Sequence, residues 1–404
     1  MYIYWGFAMK KNILLFTFFL SLNLLLQEEA LAVQSGAKFI TRFSFRQFYG
    51  GVIIVKALLD DYPDSLNFIM DTGSGGISLD SATCSRLNIS CVPSDTTVNG
   101  IGGTRKVCFA FNQTLRFPGL NVNKLDFHIN DYSLLTSVYG EKIDGVIGYS
   151  FLSRYIIKVD FDSLQIDVYS PGKITYPYGG SLLRPYLSTI PIQSLRVSDA
   201  RRVKSRFYFD TGAGMCFLMS ERFKKDSNVL SVYHNPVTTE AQGIGGHITM
   251  QLTTIKQIQI GRFKFKSVPT YIYDDENNVT EYPYSGGLIG NDLLYRFNFI
   301  LNYPADEIYI LPNSHFLDPF DYAYTGMSIY YEDGQIIVDD IIPNSPATLA
   351  GIKDGDILLG VDDNKSNNVQ QYRNILESPK EKIKLFINRN GQMLELLIKP
   401  KVIS

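Results

Sequence analysis

Apolar positions in this chain come in short runs of about four to eight residues, broken by Gly, Pro, Asn, Asp and Ser, the pattern of strands and turns and not of long amphipathic helices. Residues 52–59 and 190–197 are two such strands. Each leads into a second apolar stretch, Phe68-Ile69-Met70 and Phe207-Tyr208-Phe209, that stops at an aspartate. Residues 155–169 and 297–311 read as strand pairs turning at Asp162-Ser163 and at Pro304-Ala305-Asp306. The helices predicted are short, at 81–87 and 291–295.

The pattern occurs twice. Phe68-Ile69-Met70-Asp71-Thr72-Gly73-Ser74-Gly75 returns 139 residues later as Phe207-Tyr208-Phe209-Asp210-Thr211-Gly212-Ala213-Gly214. Gly100-Ile101-Gly102-Gly103 returns at an offset of 143 as Gly243-Ile244-Gly245-Gly246, and Gly145-Val146-Ile147-Gly148 at 142 as Gly287-Leu288-Ile289-Gly290. Three matches in one order mark a duplicated unit. In each copy the Asp sits on a turn, where a Gly two residues on lets the backbone curl and offers its N–H to the carboxylate. The Gly-rich tips between polar and β-branched stretches read as mobile hairpins. Asp144 and Asp292 flank the apolar-apolar-Gly elements without being repeat-equivalent, and read as turn or helix-start residues.

Composition narrows the class. At roughly 150 residues per domain, a chain of 404 residues holds two or three domains. With 45% hydrophobic and 19% charged residues it is globular, not disordered. A net charge of −2 lacks the basic excess of a nucleic-acid binder. Abundant Tyr, Phe and Gly reinforce the β reading.

Met9-Lys10-Lys11, the apolar stretch 13–26 and Ala30-Leu31-Ala32 read as a signal peptide, residues 1–32, cleaved after Ala32. The apolar stretch has 14 residues, short of the about 20 that cross a bilayer; an uncleaved anchor is the alternative. Either way the protein is expected to be exported. In an oxidising compartment Cys84, Cys91, Cys108 and Cys216 allow three pairings, with Cys84–Cys91 closing a short loop, or they are all small buried groups. The chain contains no Cys-X-X-Cys, and His128, His234, His247 and His315 lack ligand spacing, so neither a metal nor a cofactor is expected.

The doubled Asp-Thr-Gly-Ser/Ala-Gly, each copy followed by a Gly-rich hairpin and an apolar-apolar-Gly element, resembles the aspartic peptidases over residues 50–312. Gly-Ile-Gly-Gly tips in both copies look like a single-chain fusion of the retroviral dimer, with length and duplication as in pepsin-like enzymes. The resemblance implies a mainly β protein of two pseudo-symmetric retropepsin-like β-barrel lobes, 50–180 and 181–312. It implies Asp71 and Asp210 as the catalytic pair of an endopeptidase that activates water. Thr72, Gly73, Ser74, Thr211, Gly212 and Ala213 would support the catalytic loops, Ser74 being able to hydrogen-bond its carboxylate where Ala213 cannot. The flaps over substrate would be Gly100, Ile101, Gly102 and Gly103 together with Gly243, Ile244, Gly245 and Gly246. Neither tip has the flap Tyr of pepsin-like enzymes beside it.

Beyond a linker at 313–323, residues 324–400 resemble a PDZ domain through Ser345-Pro346-Ala347, Ala350-Gly351-Ile352 and Gly355-Asp356-Ile357-Leu358, with a helix at 368–377 beside its groove. That family captures peptide C-terminal carboxylates on a loop of backbone N–H groups, here Tyr324, Thr325, Gly326 and Met327, while the peptide adds to a sheet edge. The partners implied are peptide or protein substrates and a C-terminal peptide ligand, with a membrane involved only through an uncleaved signal segment. The expected location is a bacterial periplasm or the cell exterior. The competing reading is a peptide-binding scaffold that keeps the fold and does not cut; both Asp-Thr-Gly motifs being intact argues against it.

Overall fold

The computed structural model describes residues 35–101, 103–243, 246–274, 284–320 and 323–403; the expected signal peptide, 1–32, lies outside them. The first repeat comprises β1 (Phe39–Gln47), β2 (Ile53–Leu59), β3 (Leu66–Met70), β4 (Ile77–Asp80), α1 (Ser81–Arg86), the hairpin of β5 (Val92–Gly100) and β6 (Gly103–Phe117), β7 (Leu120–Asn130), α2 (Ser133–Tyr139), β8 (Gly145–Ile147) and α3 (Tyr149–Leu152). Along β2, Lys56 and Leu58 point outward between buried Val55, Ala57 and Leu59, the period-2 alternation that gives a strand one dry face. Strands in the order β2-β3-β8-β4-β7-β6 close on themselves where β6 returns to β2 at Leu58↔Arg116 and Leu59↔Leu115. The result is one closed six-stranded barrel.

β9 (Ile156–Asp160) and β10 (Gln165–Tyr169) follow, then short β11 (Ser181–Leu183) and β12 (Tyr186–Leu187). The second repeat runs through β13 (Pro191–Ser198), β14 (Arg202–Asp210), β15 (Phe217–Ser220), α4 (Glu221–Ser227), the hairpin of β16 (Val237–Gly243) and β17 (Gly246–Ile260), β18 (Phe263–Tyr273), β19 (Gly287–Gly290), α5 (Asn291–Leu294), β20 (Phe297–Asn302) and β21 (Glu307–Pro312). β12 and seven of its strands form an eight-stranded sheet in the order β12-β13-β14-β19-β15-β18-β17-β16, and β13 also pairs with β17 at 196–198. The duplication persists in the register. β8 lies parallel to β3 and antiparallel to β4, and β19 takes the same two places beside β14 and β15.

A base sheet, β11-β21-β20-β9-β10-β1, joins the repeats, with Phe299 opposite Val159 across the antiparallel β20–β9 seam. One apolar core passes through it. Phe299 packs edge-on against Phe161 at 5.8 Å and against Phe209 at 5.9 Å, each buried ring contributing about 1.5–3 kcal/mol.

The C-terminal module has β22 (Ala323–Tyr324), β23 (Ser328–Glu332), β24 (Gln335–Asp339), α6 (Pro346–Leu349), β25 (Ile357–Val361), α7 (Val369–Leu376), β26 (Ile383–Arg389), β27 (Gln392–Ile398) and β28 (Lys401–Val402). Its five-stranded sheet, β23-β24-β25-β26-β27, and α7 enclose a separate core around Ile336, Leu358 and Tyr372. α7 starts where Asn368 Oδ1 accepts from Gln370 N and Gln371 N at 3.1 and 3.0 Å. Among the described residues no helix is long and apolar enough to cross a membrane.

One expectation is corrected. The disulfide joins Cys91 to Cys108, not Cys84 to Cys91. Cys91 immediately precedes β5, whose Pro93 stands opposite Cys108 of β6, and the Cα atoms of the two cysteines are 5.6 Å apart. Cys84 is turned inward on α1, where its thiol donates to Ile89 O at 3.1 Å. Residues 313–320, in the stretch expected as a linker, pack against the second repeat: Phe316 lies against Phe263, Phe265 and Phe297, and the Arg296 guanidinium donates to His315 O and Pro319 O while lying 4.1 Å from the Phe320 ring centroid.

Candidate active site

Asp71 follows the end of β3 and Asp210 is the last residue of β14, so each leaves a buried central strand at a turn. Asp71 N donates to Ile147 O of β8 at 2.9 Å. In the second repeat, Asp210 stands opposite Gly290 of β19. The apolar-apolar-Gly elements therefore clamp both turns from the side, which explains why they belong to the repeat.

The turns meet face to face through their threonines. Thr72 N donates to Thr211 Oγ1 and Thr211 N to Thr72 Oγ1, both at 3.0 Å. Thr72 Oγ1 donates onward to Phe209 O at 2.5 Å, and Thr211 Oγ1 to Met70 O at 2.9 Å. Both side chains are fully buried, so every donor and acceptor of this double crossing is satisfied inside the protein. Glycine is required at the third position: a Cβ on Gly73 would come 2.6 Å from the Asp210 carboxylate, and one on Gly212 would collide with that of Asp71. Each glycine thus lies against the opposite carboxylate, and the two acids share one site.

Gly73 N donates to Asp71 Oδ1 at 2.6 Å, while Asp210 Oδ1 accepts from Gly212 N at 2.9 Å and Ala213 N at 3.0 Å. The expected bond from the Ser74 hydroxyl to Asp71 does not form among the described residues, and the extra donor, the Ala213 amide, serves the other turn. Burial holds both carboxyls above the usual range, Asp71 well above it; the charge of Asp210 and a hydrogen bond with it add to the rise at Asp71.

The pair lies in a cavity of about 370 Å³ with an otherwise largely apolar wall that includes Ile69, Tyr208, Met215 and Leu288. Gly100 and Ile101 of the first hairpin line it, as do Thr239, Glu240, Ile248 and Met250 of the second; at the tips Gly100 pairs with Gly103 and Gly243 with Gly246. Ile101 reaches across to pack beside Ile248 and Met250 of the second repeat. Gly102, Ile244 and Gly245 lie outside the described residues. Asp144 is buried and structural, accepting from Asn67 N at 2.8 Å and Thr83 Oγ1 at 2.7 Å. Asp292 falls in the first turn of α5 and accepts from the Cys216 thiol at 2.9 Å.

Three parts of the site had no motif to announce them. Tyr49-Gly50-Gly51 forms a turn behind the second Asp loop, where a Cβ on Gly50 would strike Gly214 and where Asn291 Nδ2 donates to Gly51 O. The doubled glycine was the available signal. Leu135, Val138 and Tyr139 of α2 form one side of the cavity, and Met327, Ile329, Arg373 and Leu376 of the C-terminal module another. The Tyr324–Met327 loop is held against the second repeat: Tyr324 is buried and its hydroxyl donates to Thr238 O at 2.8 Å.

The chain matches the aspartyl protease family over residues 55–151 and 194–293, and the PDZ domain family over residues 337–389. No curated protein matches it. An aspartyl-protease-family domain and a PDZ domain are thus present, which is consistent in general with peptide binding and proteolysis.

Proposed function

We propose that this protein is an exported aspartic endopeptidase of two pseudo-symmetric lobes, 50–180 and 181–312, with the PDZ domain as a peptide-recognition element beside the cleft. The observation that carries the reading is the mutual approach of Asp71 and Asp210 over the crossed threonines. Two buried carboxylates so close cannot both ionise freely and titrate as a pair holding one proton. The ionised member takes a proton from a water that attacks the scissile carbonyl. The protonated member polarises that carbonyl and later donates to the leaving nitrogen. Water forms the new C–O bond as the C–N bond breaks, and no covalent enzyme intermediate arises. The hairpins carrying Gly100–Gly103 and Gly243–Gly246 cover the substrate, and the apolar wall favours hydrophobic residues around the cut.

The test is the appearance of new peptide termini, read by mass spectrometry, when the full chain acts on a diverse peptide library from acid to neutral pH. Cleavage that disappears in Asp71→Asn is expected. Binding without cleavage at every pH would favour the scaffold reading instead.

A further inference from the structure

The groove of the PDZ domain is filled by the chain itself. β23 is an edge strand, paired with β24 alone, and with α7 it frames the place where such a sheet edge takes up an added peptide strand. Here α2 of the first repeat packs against both β23 and α7. Gly140, the residue that ends α2, lies between them: a Cβ there would come 2.7 Å from Val369 Cγ1 of α7 and 3.6 Å from Tyr331 Cβ of β23. Its φ of 69° and the bond from its N–H to Thr136 O at 2.8 Å make it the C-terminal cap of α2. A helix end without a side chain thus occupies the groove, and no peptide can enter while it is there.

The two sides of the module are attached differently. Toward the first repeat, Gln370 Oε1 accepts from Tyr49 N at 2.9 Å, Gln370 Nε2 donates to Tyr139 O at 3.0 Å, and Glu377 Oε2 accepts from the Tyr49 hydroxyl at 2.5 Å. The PDZ core, from Ile329 to Ile398, contains no residue of the repeats, so parting the groove from α2 leaves that core whole. Toward the second repeat, Leu252, Tyr324 and Ile403 form a shared buried cluster, and the Tyr324 hydroxyl donates to Thr238 O at 2.8 Å. Polar bonds on one side and an apolar attachment on the other give the module a side that can release and a side that holds.

What the docked module restricts is the cleft. Residues 327–330, with Arg373, Leu376 and Glu377, stand in the wall of the cavity that holds Asp71 and Asp210. A substrate cut in its interior must run on past both sides of the cut, at about 3.3 Å per residue. The cavity, of about 370 Å³, is near the lower end of the range for small-ligand pockets, about 300–1,000 Å³. Withdrawing the PDZ wall is the movement that would widen it without disturbing either Asp-Thr-Gly turn.

We propose that the PDZ domain is an autoinhibitory door latched by its own peptide groove. With the α2–Gly140 turn in the groove, the cleft is walled off from extended substrate; withdrawal of the turn frees the groove for a peptide and opens the cleft in one movement. Because peptide and α2 exclude each other, a peptide held in the groove stabilises the open form. The consequence for cleavage rests on the reading of Asp71 and Asp210 as the reacting pair.

The primary test is Gly140→Asn in the full chain. Asn accepts left-handed backbone at a helix end, but its Cβ meets Val369 and the turn must leave the groove. The Tyr49 amide, bonded to Gln370 of α7, reports that release by hydrogen exchange. It should exchange about tenfold or more faster than in the parent, while amides of β25 and β26 in the PDZ core stay within about twofold. Cleavage of the diverse peptide library should rise about fivefold or more. If Gly140→Asn does not fold, Gln370→Ala, which removes two bonds of the latch and no core side chain, decides by cleavage alone, with a rise of about threefold or more expected. Unchanged Tyr49 exchange in Gly140→Asn, or cleavage that stays level or falls once the turn is released, would overturn the proposal. Release of Tyr49 with no cleavage by parent or variant would uphold the latch and overturn the reading of the aspartate pair instead.

Discussion

The two Asp-Thr-Gly turns share one network but have different surroundings. Thr72 and Thr211 make the same two bonds in exchange, and β8 and β19 flank them in the same register. Around the first turn, the hairpin is fastened within its own repeat by Cys91–Cys108. Around the second, the hairpin is fastened from outside, Thr238 O accepting from Tyr324 of the PDZ domain, and the loop is backed by Gly50 and Tyr49, which α7 holds. Symmetry holds for the crossed threonines and the strands that flank them. The asymmetric additions give the cleft two unlike sides, one of them walled by the PDZ domain.

The comparison can be broken at its shared centre first. Asp71→Asn and Asp210→Asn should each lower kcat by at least about 10²–10⁴-fold, with peptide binding retained; loss in one variant alone would show that the turns do not act as a pair. Next come the separate fastenings. Cys91→Ser with Cys108→Ser should destabilise the chain by about 2–4 kcal/mol, seen by chemical denaturation, since the disulfide closes a loop of sequence separation 17. Little effect of removing it would mean that strand pairing already holds the first hairpin. Thr72→Ala and Thr211→Ala should each cost about 1–3 kcal/mol by leaving buried partners unpaired. Equal values from the two would sharpen the symmetry, and a wide gap would contradict it.

A smaller effect should appear at the PDZ contact. Burial pushes the Glu377 carboxyl up to about 7, while the hydrogen bond from Tyr49 and the charge of Arg373 pull down and Asp292 adds to the rise. The folded state therefore holds this proton more tightly than the unfolded chain. Its stabilisation is complete below the ordinary carboxylate range and is lost as pH rises through about 7. Thermal melts of Glu377→Gln should show a shallower decline over that interval than the parent; parallel declines would remove Glu377 as the cause. Smallest of all, Ser74→Ala should leave the pH profile of cleavage unmoved, because its hydroxyl does not reach Asp71.

What was legible in the sequence follows from what repeats and what alternates. Asp71, Asp210, the glycine tips and the β8 and β19 elements recur in order, so their common environment could be read before their geometry was seen. The 368–377 helix carried its own Asn368 cap. Long-range choices were not legible. Cys91 pairs with Cys108 because the β5–β6 hairpin, in which Pro93 faces Cys108, brings the start of β5 next to Cys108, a register set over the whole hairpin, whereas proximity along the chain pointed to Cys84. The 313–323 stretch looked like a linker from its prolines, yet Phe316 and Phe320 find apolar and cationic partners on β18, β20 and Arg296. The PDZ residues in the cavity wall are ordinary apolar residues locally, and only docking through Tyr49 and Gln370 gives them a place beside the aspartates.

The central claim is that Asp71 and Asp210 form one titrating unit. The most direct measurement follows the side-chain carboxyl carbons by ¹³C NMR from acid to neutral pH, in the parent and in Asp210→Asn. The account predicts that Asp71 holds its proton well above the ordinary carboxylate range in the parent, and that its apparent pKa falls when Asp210 loses its charge. An Asp71 that titrates at the same pH with and without that charge would contradict it.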